Sequence, residues 1–139
     1  MPIPALDDRG FLPLGIHDCT LDEIKGTFGR FHHSDRRPQL FAKLQLFVGE
    51  ARAAGLVRRI LVDGSFVTSK PEPNDIDLIL IVDSHHDFAA DLLPTQYNVV
   101  SKRCVYRRFG FDLLVARENS LEYIRWADFF QQIRLEPGL

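Results

Sequence analysis

Leu40, Phe41, Leu44, Phe47, Val48 and Ala51 recur with a helical period, while Lys43, Gln45, Glu50 and Arg52 occupy the opposite face. This predicts a long helix that starts at Asp35 as its cap, tolerates Pro38 in its first turn and stops at Gly55. An earlier, shorter helix is predicted from Thr20-Leu-Asp-Glu23. That string has the threonine and glutamate of a capping box, and the helix should run to about Phe28. Residues 56–63 read as a strand ended by Gly64-Ser65, and residues 66–74, with Pro71 and Pro73, read as a connection. Residues 75–83 carry the strongest strand signal. Beyond Asp77 this segment is apolar on both parities, so both of its faces should be covered. Residues 83–94 read as a loop with a short helical turn, residues 97–100 and 104–108 as weaker strands, and residues 110–116 as a clear strand. Asn119-Ser-Leu-Glu122 resembles a cap, with a final helix expected to about Ile133. Residues 1–19 are rich in proline and apolar side chains and read as an extended arm laid over the domain. The expected class is α/β (α+β): a small mixed β-sheet flanked by helices.

Composition narrows the picture only a little. The 139 residues suit one domain with its own core, and 45% apolar with 26% charged residues is ordinary for a soluble protein. A net charge of −2 offers no global basic field for nucleic acid. Two basic pairs, Lys102-Arg103 and Arg107-Arg108, read either as a solvated surface or as a contact for RNA or nucleotide phosphates. Cys19 and Cys104 have no metal-ligand or disulfide spacing, which points to reduced thiols in a cytoplasmic protein. The acidic N-terminus is unlike a signal peptide, and the longest apolar run, 78–82, is far too short to span a bilayer. His32-His33 and His85-His86 are adjacent pairs that do not readily present both rings to one ion, so they read as surface histidines, and His17 as structural.

The candidate chemistry lies in the carboxylates. Asp75 and Asp77 alternate at the start of a strand, so their side chains should stand on one face at the edge of a core. Close carboxylates repel, and burial sharpens the cost; a bound cation offsets both. Asp112 interrupts Phe109-Gly-Phe-Asp-Leu-Leu-Val115, which otherwise reads as a buried strand. If the two strands pair, Asp112 completes a three-carboxylate cluster of the kind that suits Mg²⁺. The alternatives are that Asp75 caps its loop and that Asp112 pairs with an arginine such as Arg107. Gly64 would let backbone approach a phosphate closely, and Ser65 would donate to it. Thr68, Ser69 and Lys70 lie in the following loop, either within reach of phosphates or simply solvated. Tyr123, Trp126, Phe129 and Phe130 in the last predicted helix encircle more than one face, so some are expected at a partner surface.

Gly64-Ser65, nine intervening residues, Asp75-Ile-Asp77 and a later strand Asp112 together resemble the signature of the polymerase-beta-like nucleotidyltransferases. The short length resembles the minimal (MNT-type) prokaryotic members. Leu12-Pro-Leu-Gly-Ile-His17, Asp63-Gly-Ser-Phe-Val-Thr68, Pro73-Asn-Asp-Ile-Asp77 and Phe129-Phe-Gln-Gln132 resemble an uncharacterised bacterial branch of that superfamily. The resemblance implies the nucleotidyltransferase fold and an Mg²⁺-dependent transfer of a nucleoside monophosphate from an NTP, for example ATP, to a protein or RNA hydroxyl. It implies that Asp75, Asp77 and Asp112 hold two Mg²⁺ ions, that Asp112 helps deprotonate the acceptor, and that Gly64, Ser65 and Lys70 hold the triphosphate. It further implies a role in toxin–antitoxin or defence modules, with a HEPN-type ribonuclease, another toxin or transfer RNA as partner.

The sequence departs from that pattern in two ways. Lys70 stands in a loop where many minimal members carry arginine, and Asn74 precedes Asp75 where they carry serine. No second domain is visible, so acceptor choice rests with this domain, with self-association as a homodimer, or with a partner. These departures motivate the alternative of a catalytically silent module that binds nucleotide or protein.

Overall fold

In the computed structural model of the chain, residues 3–13, 15–87, 91–120 and 131–135 are described. Thr20 caps α1 (Leu21–Thr27): its side chain accepts from the Glu23 N–H, and Glu23 reaches back to the Thr20 N–H. The long amphipathic segment forms α2 (Arg36–Ala54) and ends at Gly55 in the left-handed conformation, φ 74°. Asp35 is the cap residue but makes no side-chain cap bond; Ser34 Oγ accepts from the Arg36 N–H instead.

Five strands form one mixed sheet: β1 (Gly15–Asp18), β2 (Val57–Asp63), β3 (Asp77–Val82), β4 (Asp112–Arg117) and β5 (Gln131–Leu135), in the spatial order β1-β5-β2-β3-β4. β2 runs antiparallel to both β3 and β5, while β3–β4 and β1–β5 are parallel. The parallel β3–β4 pair needs a crossover, and residues 83–111 supply one that contains α3 (Pro94–Val100) and α4 (Lys102–Phe109).

The 97–100 and 104–108 strands expected from sequence are therefore helices. Pro94 sits in the first turn of α3, and Gln96 Oε1 accepts from the Leu93 N–H. Ser101 Oγ caps α4 by accepting from the Cys104 N–H, and Gly110 ends it at φ 75°. Val99, Val105 and Phe109 face the core, so the β-branched Val99 and Val105 serve helices packed on the sheet rather than strands in it. The expected final helix lies mostly outside the described residues, as do Tyr123, Trp126, Phe129 and Phe130. Its end is corrected, because Gln131–Leu135 is β5, paired with both β1 and β2. Part of the N-terminal arm likewise belongs to the sheet, as edge strand β1.

The main core joins one face of the sheet to all four helices, through Ile24, Leu40, Leu44, Phe47, Val99, Val105 and Phe109 against Ile60, Val62, Leu78 and Leu80. Phe109 meets Phe47 edge-on and stacks on Phe111, each with ring centroids 5.7 Å apart. On the opposite face Leu61, Ile79, Ile81 and Ala116 form a second buried cluster. Both faces of β3 are thus covered, as its continuous apolar run predicted. Among the described residues no helix is long and apolar enough to cross a membrane.

Candidate functional site

The carboxylates gather at the end of the sheet where β2 finishes and β3 and β4 begin. Asp77 is opposite Asp112 in the parallel ladder and opposite Asp63 in the antiparallel one. Residues in register share a face, so Asp63, Asp77 and Asp112 form a row in line with Leu61, Ile79 and Ala116 on the second face. Asp75 precedes β3, and Ile76 between the two aspartates is fully buried, so the alternation continues beyond the strand. The result is one carboxylate oxygen from each of Asp75, Asp77 and Asp112 lying within 4.8 Å of the others. No ion pair joins Asp112 to Arg107, which stands in the last turn of α4.

The electrostatics follow from this crowding. Burial, then the charges of Asp75, Asp112 and Asp63, push the Asp77 carboxyl up to about 6. Burial and Asp112 raise Asp75 as well, while Lys70 pulls it back. An all-oxygen donor set of three anions held close at this cost fits a hard divalent cation such as Mg²⁺. Asp63 was not among the residues the sequence singled out. Its position opposite Asp77 depends on strand register, which no local motif displays.

Gly64 connects the carboxylates to the loop. Its backbone (φ 85°, ψ −167°) lies in a region essentially reserved for glycine. A Cβ there would meet Asp77 Cγ at 3.0 Å and would crowd its Oδ2 still more. The Gly64 N–H donates to Asp63 Oδ1 at 2.7 Å. Gly64→Ala is expected to cost about 1–3 kcal/mol of backbone strain and to displace Asp77. Denaturant unfolding of that variant checks the cost, and stability equal to wild type would refute the close approach.

Ser65 begins a 3-10 turn (Ser65–Val67) in which Phe66 and Val67 are buried anchors. Thr68 closes it, with its N–H and hydroxyl both donating to the Ser65 carbonyl. The Ser65 hydroxyl itself has no partner among the described residues. Lys70 is exposed at the far end of the loop. The loop is held from beneath by Arg37, which is only 4% exposed. Its guanidinium donates to the carbonyls of Phe28 (3.1 Å), Phe66 (2.7 Å), Thr68 (2.6 Å) and Lys70 (2.6 Å). It also lies over the Phe28 and Phe66 rings. Sequence reasoning passed over Arg37. Its only signal is an arginine in the first turn of α2 at a position that proves to face inward, one turn before Leu40 and Phe41.

A family model matches residues 4–138. The chain belongs to DUF6932, a family of unknown function. No curated protein and no solved structure matches it.

The remaining sequence candidates stay apart from the site. The His32 and His33 rings meet edge-on at 4.5 Å, both exposed. His17 Nε2 lies 2.8 Å from the Pro13 carbonyl. Cys19 and Cys104 are unpaired thiols, and burial pushes Cys19 up to about 12, which disfavours its thiolate form. Arg108 makes a two-pronged bond to Glu50 on α2 (2.6 and 2.7 Å), which anchors α4.

Proposed function

We propose that this chain is an Mg²⁺-dependent nucleotidyltransferase that moves a nucleoside monophosphate from an NTP to a hydroxyl group of a protein or an RNA. The observation that carries the proposal is the convergence of Asp75, Asp77 and Asp112 within 4.8 Å, next to a glycine packed against Asp77. The nucleotidyltransferase fold is part of the same proposal, supported by the mixed sheet and by the order Gly-Ser, Asp-x-Asp, strand Asp along the chain.

Asp75, Asp77 and Asp112 would hold the divalent cations, which when bound draw charge from the phosphate oxygens and lower the barrier to in-line displacement. Gly64 lets the Asp77 carboxylate pack directly against the start of the loop, and the Ser65 hydroxyl is free to donate to a phosphate held there. Arg37 keeps the loop in one conformation, so the donors need not reorganise during reaction. The acceptor oxygen attacks the α-phosphorus, the bond from that phosphorus to the oxygen bridging to the β-phosphate breaks, and pyrophosphate leaves. Asp112, the most exposed of the three, accepts the hydroxyl proton and passes it to solvent.

Calorimetric titration with a panel of NTPs, with and without Mg²⁺, tests the proposal. One NTP is expected to bind only with Mg²⁺, and that nucleotide, labelled on its α-phosphate, then reports transfer to acceptors. Binding that ignores Mg²⁺, or that survives Asp75→Asn/Asp77→Asn, would favour a binding module without turnover.

A further inference from the structure

The N-terminal arm forms a tight, self-supported turn directly over the loop. Asp7 Oδ1 accepts from the N–H groups of Arg9 (2.9 Å) and Phe11 (3.0 Å). The Asp7 N–H donates to the Phe11 carbonyl at 2.7 Å, and the Gly10 N–H to the Asp7 carbonyl at 2.9 Å. Gly10 (φ 83°) presses its bare Cα against the Ser69 side chain, and the Ser69 N–H donates to the Gly10 carbonyl at 3.0 Å. Leu12 pins the end of the turn into the core at 1% exposure. Between this turn and the loop lies a cavity of about 500 Å³, bordered by Arg9, Phe11, Gly64, Ser65, Ser69 and Lys70. Its size is that of a small-molecule pocket.

Two cations, Arg9 and Lys70, thus face one cavity, and neither guanidinium nor ammonium makes a hydrogen bond or ion pair among the described residues. Asp7, on the same turn, feels the Arg9 charge without an ion pair forming, and it spends one oxygen on two backbone N–H groups. The cavity adjoins the carboxylates through Asp63 and Gly64. A polyphosphate anchored at the carboxylates by its cations and crossing Gly64 would run into this space. We propose that the cavity receives the β- and γ-phosphates of the nucleotide, and that Arg9, carried on the arm, is a binding residue that selects triphosphates over monophosphates. The inference rests on the nucleotide reading above and adds to it a residue from outside the motif. Lys70 offers a point charge, whereas Arg9 brings the planar fork that grips two phosphate oxygens at once.

The test is calorimetry of the full chain with Mg²⁺ and the NTP, NDP and NMP of one base, for wild type, Arg9→Ala, Arg9→Lys, Phe11→Ala and Asp77→Asn, with Lys43→Ala on the solvent face of α2 as a charge control away from the cavity. Arg9→Ala is expected to weaken NTP about tenfold to a hundredfold, the size of a lost charge-assisted contact. NMP affinity should stay nearly unchanged, so the NTP-to-NMP preference collapses, and Arg9→Lys should recover part of it. Arg9 is exposed, and an unchanged melting temperature confirms that its variants fold. If wild type binds NTP and Asp77→Asn loses it, yet Arg9→Ala keeps the preference within about twofold, the arm's role is overturned and the nucleotide reading stands. If Phe11→Ala instead weakens NTP, NDP and NMP alike, the cavity holds the base and the inference is likewise overturned. If wild type binds no nucleotide with Mg²⁺, both fall together.

Discussion

Replacing Asp77 by asparagine is expected to abolish Mg²⁺-dependent nucleotide binding and, at neutral pH, to raise the melting temperature of the metal-free protein. The two effects have one cause. In the folded state burial and three neighbouring carboxylates hold the Asp77 carboxyl at about 6, against an ordinary value of 3.8. Between those values the folded protein binds more protons than the unfolded chain, so this group's contribution to stability falls as pH rises and is fully unfavourable above about pH 6. Asparagine has the same shape without the charge. With allowance for solvent screening at a half-buried group, relief of the penalty is on the order of 1–2 kcal/mol, or a few degrees in melting temperature. Metal reverses the balance for the wild type, because a cation bound only by the folded state stabilises it in proportion to the logarithm of its concentration. Mg²⁺ should therefore raise the wild-type melting temperature at pH 7.5, lose that effect as pH falls through about 6, and do nothing for the variant. Scanning calorimetry across pH, with and without Mg²⁺, reads all of this. A variant less stable than wild type at pH 7.5 would mean that Asp77 is a structural residue.

Arg37→Ala is expected to produce the largest loss of stability of any single change near the site, about 3–5 kcal/mol. Four carbonyls from two stretches of chain converge on one guanidinium that is 4% exposed. Truncation leaves them without donors in a space that water fills poorly, and it opens a cavity over the Phe28 and Phe66 rings. Arg37→Lys keeps a charge but has three donors in a different geometry, so it should recover only part of the loss. The carboxylates belong to strands and should remain in place. Mg²⁺ binding to Arg37→Lys should accordingly survive, while nucleotide affinity falls because the loop from Ser65 to Lys70 is no longer held. Urea unfolding combined with separate metal and nucleotide titrations checks the division. Equal loss of both affinities would show that Arg37 supports the sheet rather than the loop.

How much of this was legible beforehand differs from element to element. The capping box at Thr20, the apolar stripe of α2 with its Gly55 stop, and the continuous apolar run of β3 are local patterns, and each appears within a residue or two of its expected limits. Gly64, Asp75, Asp77 and Asp112 were legible as anomalies, namely polar or bare positions set against apolar strands. The misread α3 and α4 carry Val99, Val100 and Val105, whose β-branched side chains suggest strand, while the Pro94, Ser101 and Gly110 signals that favour helix are single residues. Packing on the sheet overrode the propensity.

The amino-acid sequence by itself determined the helices with strong caps, the central strands and the identity of the acidic residues, because period and capping act over a few neighbouring residues. Only the tertiary structure decided which carboxylates meet. The parallel register that sets Asp77 against Asp112 depends on a crossover through two helices, and the antiparallel one that adds Asp63 depends on how β2 returns into β3. Arg37 under the loop and Arg9 over it became visible the same way, since contacts 33 residues apart, as between Arg37 and Lys70, are made by packing and leave no periodic trace in the chain.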